Sequence, residues 1–254
     1  MFTEERREKI LNIIEKNGRV ITKDLAEKFG VSIDTIRRDL SELEEQQLLK
    51  RTHGGAIRIP KVRTMPKPPK ERYGEGDYYQ KAIAKAAVSY IKEGDTVFVG
   101  GAAIHYVMIQ YLPTDISYTV ITNSVEIALH IRNFNNITTY IIGGNVKNSG
   151  NITDALANEF VSKFYIDLSF ATAGGLSERG LSTSSPEVAL FHKTVYENSR
   201  KVIALIEHYK FGMDFFTVMF PLQGLSLVIT DEETTEEQIN IITAHGINVK
   251  IAES

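Results

Sequence analysis

The stretch Val31-Ser-Ile-Asp-Thr-Ile-Arg-Arg-Asp-Leu40, followed by Lys50-Arg-Thr-His-Gly-Gly-Ala56, decides the reading of the first part of the chain. Ser32 stands where a hydroxyl caps a helix, and Ile36, Leu40 and Leu43 recur at the spacing of a buried helical stripe. With Ile36 at zero and about 100° per residue, Asp34, Arg38 and Ser41 fall opposite the core, flanked by Thr35 and Arg37. The N-terminal half of this helix therefore exposes hydroxyl and guanidinium groups, and its C-terminal half exposes Glu44 and Glu45. A helix that reads the DNA major groove contacts base edges with its N-terminal part, so the polarity fits. One of Arg37 and Arg38 would reach a guanine edge and the other a backbone phosphate. Adjacent arginines on an exposed face are also commonly just solvated or paired, here with Asp34 or Asp39. The second segment reads as a basic hairpin tip, with Lys50, Arg51 and His53 as phosphate contacts. Gly54 and Gly55 are expected to supply positive φ and a close approach to the duplex, although ordinary hairpins use glycine pairs too. The order of cap, helix and basic hairpin favours DNA.

Working outward, a first helix is expected over Thr3–Lys16, stopped by Asn17-Gly18, with Ile10, Leu11 and Ile14 inward. Arg19-Val20-Ile21 reads as extended. Thr22 is expected to cap a second helix with Leu25, Ala26 and Phe29 inward and Gly30 at its end. Two wing strands, Leu48–Lys50 and Ala56–Ile59, complete a small core. Arg6 and Arg7 read as a solvated face or as phosphate contacts.

Charge supports this division. The chain of 254 residues has a net charge of −3, but residues 1–72 carry 17 Lys and Arg against 12 Asp and Glu, and the remainder 12 against 20. A basic head on an acidic body is the layout expected of a DNA-binding domain joined to one that DNA avoids. Cysteine is absent, which excludes disulfides, a Cys-based zinc site and a thiol nucleophile. That absence is compatible with a reducing cytosol, and no signal-like or membrane-spanning apolar run is read, so a cytoplasmic location is expected.

Four of the seven prolines (Pro60, Pro66, Pro68 and Pro69) lie in a lysine-bearing stretch read as a linker over 60–76. It separates a DNA-binding domain at 1–59 from a domain at 77–254. Beyond it, short β-branched runs alternate with helical segments: Thr96–Val99, Thr119–Thr122, Thr138–Ile142, Leu168–Ala173, Val202–Ile206 and Leu225–Thr230, against Gln80–Ile91, Val125–Arg132, Asp154–Phe164, Pro186–Asn198 and Thr235–Ala244. This alternation predicts an α/β domain with a mostly parallel buried sheet.

The quoted head segments resemble the winged helix-turn-helix signature of the DeoR/GlpR family of bacterial transcriptional regulators, over roughly residues 3–57. The remainder resembles that family's sensor domain, a Rossmann-like fold related to ribose-5-phosphate isomerase and CoA-transferase folds, through Glu93-Gly-Asp-Thr-Val-Phe98, Val120-Ile-Thr-Asn-Ser124, Ile141-Ile-Gly-Gly144 and Lys210-Phe-Gly212. The resemblance implies a homodimer or tetramer that binds an operator in double-stranded DNA, usually represses a sugar-use operon, and releases DNA on binding a phosphorylated metabolite.

A phosphate site at a strand end needs backbone N–H groups, small residues and polar donors. The candidates are Gly100, Gly101, Ala102, Ala103 and Ile104 after the first strand, with Asn123, Gly143, Gly144, Glu187 and Lys210. Where the family's loop carries an Asp and two threonines, this chain has Gly100, Ala103 and Ile104; where the family has a glutamate pair and a lysine, it has Glu187, Val188 and His192. The family's Asp-x-Ser-Lys becomes Glu207-His-Tyr-Lys210. His105 reads either as a compensating ligand or as a structural histidine. The glycine pairs equally read as strand-end turns, and Lys210 equally as a surface lysine. Three alternatives follow: a pocket for a different ligand, a sensor that no longer binds sugar phosphate, or a scaffold that binds DNA without sensing. No metal or cofactor is expected. The rival class is a sugar-phosphate isomerase or CoA-transferase-like enzyme, whose proton-transfer carboxylates would be Glu187 and Asp167, though no matching catalytic constellation is found.

Overall fold

The computed structural model describes residues 3–17, 19–46, 48–52, 54–58 and 73–253. The chain forms two compact units, Met1–Lys61 and Val62–Ser254. His53, Ile59 and the linker prolines lie outside the described residues.

In the first unit, α1 (Thr3–Asn17), β1 (Arg19–Ile21), α2 (Thr22–Phe29), α3 (Ile33–Glu45), β2 (Leu49–Thr52) and β3 (Gly55–Arg58) enclose a core of Ile10, Ile14, Val20, Leu25, Ala26, Ile36, Leu40, Leu43, Leu49 and Ala56. Two local expectations need correction. Thr22 is the first residue of α2 rather than its cap. No side chain caps that helix, and the Thr22 N–H instead donates to the Gly54 carbonyl at 2.8 Å. The extended piece β1 pairs antiparallel with β3, so the wing is the outer part of a three-stranded sheet ordered β1-β3-β2. Neither Gly54 nor Gly55 has positive φ. Gly55 is required for a different reason: a Cβ there would run into the Val20 carbonyl oxygen of β1.

The second unit is built on a seven-stranded sheet. Its strands are β4 (Thr96–Val99), β5 (Tyr118–Thr122), β6 (Ile137–Ile141), β7 (Ile166–Ala171), β10 (Ser199–Leu205), β12 (Leu227–Asp231) and β13 (Val249–Ala252). Every pairing in it is parallel, in the order β13-β12-β10-β7-β4-β5-β6. Helix α4 (Tyr78–Val88) precedes β4, and α5 (Ala103–Met108), α6 (Val125–Ile131), α7 (Ala155–Val161), α8 (Pro186–Glu197) and α9 (Glu236–Thr243) lie between strands. One core contains Phe98, Ile121, Ala171, Phe191 and Ala204, and a second contains Val97, Val99, Val120, Phe170 and Ile203. Neighbouring strand residues alternate between the two, so both sheet faces are covered, which is why these strands read as continuous apolar runs.

Sequence periodicity did not separate out β8 (Gly175–Ser177), β9 (Gly180–Thr183) and β11 (Thr217–Phe220), which form a small antiparallel sheet, nor the edge strand β13. Each is only three or four residues long, too short to establish a period. The chain leaves β4 toward β5 and β6 on one side and returns to lay β7 on the other. The loop after β4 thus sits at the reversal of strand order, where open α/β sheets take their ligands.

Candidate DNA interface and effector site

Helix α3 is organised by its cap. The Thr35 N–H donates to Ser32 Oγ at 3.1 Å, and the two hydroxyls lie 2.8 Å apart. Arg37 and Asp34, both exposed, pair at 3.1 Å. Arg38 is exposed and makes no ion pair with another described residue. Beneath this surface the helix is held from inside. Asp39 is 2% exposed and receives Arg6 Nε at 2.5 Å, Arg6 Nη2 at 3.2 Å and Arg7 Nε at 3.1 Å. The hydrogen bond to Asp39 raises the Arg6 guanidinium above its ordinary value, against the opposing effect of burial. Arg6 is therefore a buried clamp between α1 and α3, not part of a solvated face.

The wing is fastened to the same helix. The Arg51 N–H donates to Glu44 Oε1 at 2.8 Å, and Arg51 Nη1 donates to Ser41 Oγ at 2.7 Å. Arg51 thus fixes the hairpin relative to α3 with part of its guanidinium. Lys50 and Gly54 are exposed, and Lys50 has no ion-pair partner among the described residues. His53 lies outside the described residues. The exposed Arg37 and Arg38 with the half-buried Thr35 on α3, and the exposed Lys50 on the wing, can face a polyanion. In the Asp39 cluster Arg6 and Asp39 are buried against each other, and the one net positive charge left by two arginines on one carboxylate lies with the partly exposed Arg7.

In the sensor domain, most candidate effector residues gather around the segment 143–154. Gly100 and Gly101 follow β4, and a side chain at Gly101 would collide with the amide of Asn151. Asn151 Nδ2 donates to the Gly101 carbonyl at 3.3 Å. Asn123 is fully buried at the end of β5, where its Nδ2 donates to the Ile152 carbonyl at 3.0 Å and its Oδ1 has no hydrogen-bond partner among the described residues. Exposed Gly143 and Gly144 start the segment, and Asp154, which caps α7, accepts from the Asn145 N–H at 3.1 Å. Glu187, in the first turn of α8, joins from below, accepting from Thr153 Oγ1 at 3.1 Å and pairing with Lys147 at 2.8 Å. Ala102 and Ala103 lead into α5, and Ile104 is buried.

Three basic groups near the loop are not free charges. His105 is buried; its Nε2 donates to the Phe170 carbonyl at 3.0 Å, and its Nδ1 lies 3.5 Å from the Ala102 N–H. Burial, with a smaller push from His192, lowers it to about 3, so it is neutral and structural. Burial likewise lowers His192, whose Nδ1 meets the Val188 carbonyl at 2.9 Å. Lys210 lies 2.6 Å from Glu207, which also accepts from Gln80 of α4 at 3.1 Å. Burial pushes the Glu207 carboxyl up, but the Lys210 charge and the hydrogen bonds from Lys210 and Gln80 outweigh it and hold it below the ordinary value.

The enzyme candidates are separated. Asp167, at the start of β7, accepts from the Thr96 N–H at the start of β4 (3.0 Å) and pairs with Arg200. It is at the N-terminal edge of the parallel sheet, whereas Glu187 is beside the C-terminal edge. Motif reading did not single out Tyr73, Lys147, Asn151 or Thr153. The run Asn145-Val-Lys-Asn-Ser-Gly-Asn151 signalled only a polar loop.

A winged three-helix head with an exposed cationic row and a parallel α/β domain with a strand-end site define a DNA-binding regulator of the sensor-domain class. The profile of the DeoR-like helix-turn-helix domain matches residues 6–62, and that of the DeoR C terminal sensor domain matches residues 78–232. The chain belongs to the DeoR family of transcriptional regulators. It is 32% identical over 237 residues to the HTH-type transcriptional regulator YulB of Bacillus subtilis (strain 168), covering 91% of this chain and 90% of that one. It is 28% identical to the HTH-type transcriptional repressor GlcR of the same strain, over 100% of this chain and 98% of that one. It is 27% identical to the glycerol-3-phosphate regulon repressor of Escherichia coli (strain K12), over 97% and 98%. Among solved structures, ribose 5-phosphate isomerase A from Methanocaldococcus jannaschii aligns over 52% of each chain, with 17% identity and a TM-score of 0.39.

Proposed function

We propose that this chain represses a carbohydrate-use operon, binding operator DNA as a homodimer or tetramer in the cytoplasm and releasing it when a small phosphorylated metabolite enters the sensor domain. The observation that carries the reading is the exposed face of α3, with Thr35, Arg37 and Arg38 over a helix held from behind by Asp39 and fastened to its wing by Arg51. The relatives named as repressors over nearly the whole chain support the sign of regulation. In this reading Lys50, Gly54 and His53 meet phosphate, Arg38 meets a base edge, and the effector lies against Gly100–Ala102, Asn123, Gly143, Gly144, Glu187 and Lys210. Release needs a ligand that favours one DNA-binding state over another, with a coupling of ~1–3 kcal/mol. The chain is read as non-catalytic, since its two candidate carboxylates lie at opposite edges of the sheet.

Footprinting on the region flanking its own gene, with and without a panel of sugar phosphates, tests this reading. Protection that one of these compounds removes supports it; a footprint that none alters refutes the effector part.

A second reading follows from the sensor loop. Gly100, Ala103 and Ile104 present no carboxylate or hydroxyl, and Lys147 and Lys210 each already hold a carboxylate. A sensor domain that no longer takes a sugar phosphate would show no thermal stabilisation by any of them, while DNA binding persists.

A further inference from the structure

Tyr73 is the first described residue beyond the segment 59–72 that leads from the head, and its side chain reaches the loop after β4. Its hydroxyl donates to the Gly101 carbonyl at 3.0 Å and lies 3.5 Å from Asn151 Oδ1. Its ring rests on Tyr106 of α5 with centroids 5.0 Å apart. Tyr106 is fixed in turn by His130, whose Nε2 lies 2.9 Å from the Tyr106 hydroxyl and whose Nδ1 meets the Glu126 carbonyl at 2.7 Å. The Gly101 carbonyl thus receives two donors, the Tyr73 phenol and Asn151 Nδ2.

We propose that Tyr73 is part of the effector site and couples its occupancy to the chain segment that leads to the head. The inference rests on the effector-site reading above. The two atoms that the phenol faces here, a carbonyl oxygen and an amide oxygen, are acceptors. A group that displaces the phenol must therefore donate a hydrogen bond. A sugar hydroxyl does so, whereas a phosphate dianion offers only acceptors. The hydroxyl-bearing part of the effector, rather than its phosphate, is the part that competes with Tyr73. Losing a single hydrogen bond of this kind changes an equilibrium by roughly two- to tenfold. By linkage, a ligand that frees Tyr73 alters DNA affinity by the same factor by which DNA alters the affinity for that ligand.

The test uses the full chain and trypsin. Cleavage after Arg72 requires Tyr73 and Gly74 to enter the protease, so Tyr73 must leave Gly101. Cleavage after Lys61 or Arg63 does not require this and serves as the internal reference. In Tyr73→Phe, which keeps the ring and removes the donor, the Arg72 rate relative to Lys61 and Arg63 should rise about two- to tenfold. Tyr106→Phe, which removes the hydroxyl facing His130 but keeps the ring under Tyr73, should raise that ratio less than Tyr73→Phe does. Without ligand, the DNA affinity of Tyr73→Phe should shift at least about twofold from wild type. An unchanged ratio in Tyr73→Phe, or an equal rise in both variants, overturns the proposal, as does an unshifted DNA affinity. A wild-type chain that binds no DNA would refute the regulator reading instead, and the protease ratio would still decide whether the Tyr73 hydroxyl holds this segment against Gly101.

Discussion

In the head, Asp39 takes up Arg6 and Arg7 beneath α3 and leaves Arg38 and Lys50 outside without a carboxylate among the described residues. In the sensor domain the cations nearest the strand ends are consumed, Lys210 by Glu207 and Lys147 by Glu187. Both regions bury a carboxylate against a cation. In the head the pairing braces a surface whose remaining charge faces outward, whereas around the strand ends it neutralises the charge that a phosphate would need. The first arrangement suits a polyanion bound by counterion release. The second suits a ligand recognised by hydrogen bonds, with its charge met only if Lys210 or Lys147 changes partner.

The largest effect expected from breaking this contrast is on the head. Asp39→Ala leaves Arg6 buried beside a second arginine without a carboxylate, and removing one partner of a buried pair costs about 3–5 kcal/mol. Chemical denaturation should show the head unfolding first, with DNA binding lost and the sensor domain's transition unchanged. Loss of DNA binding in a head of wild-type stability would mean that Asp39 acts at the interface.

Next comes acid stability of the sensor domain. His105 is lowered from 6.5 to about 3 in the folded chain. Between those values the unfolded chain binds the extra proton and the folded chain does not, so stability is lost as pH falls from about 6.5 toward 3. The full effect is on the order of a few kcal/mol. His105→Gln should flatten this limb in urea titrations at pH 7 and pH 4. A wild-type limb that is already flat would mean that His105 is accessible and protonates in place.

Two substitutions then sharpen the reading of the interface itself. Arg38→Ala should remove about 1–3 kcal/mol of discrimination between operator and unrelated duplex. Lys50→Ala should weaken all duplexes alike and reduce the salt slope by about 1. Binding isotherms at several salt concentrations separate them. Uniform losses from both would reduce Arg38 to a phosphate contact.

Much of the head was legible because its chemistry is local. Ser32, Ile36, Arg38 and Leu40 lie within three turns of one helix, and period alone assigns their faces. What escaped there was non-local: the close approach of β1 that requires Gly55, and the reach of Arg6 across to Asp39, 33 residues away. In the sensor domain the strands were legible as buried β-branched runs, and the candidate-site loop was read only as their small-residue end. The arrangement of the site was not, because it depends on Asn151 entering beside Gly101, 50 residues distant, and on Tyr73 arriving from a stretch that reads as linker. Nor does any spacing rule show that Lys210 is already engaged by Glu207, since a lysine three residues after a glutamate is usually exposed.

The most direct measurement is the fluorescence anisotropy of a labelled duplex from the region flanking its own gene, titrated with the full chain against an unrelated duplex over a range of salt. The structure predicts binding that falls linearly in log–log form with salt and favours the specific duplex by at least about a thousandfold. Failure to bind any duplex even at low ionic strength would contradict the assignment of α3 and the wing as a DNA-reading surface.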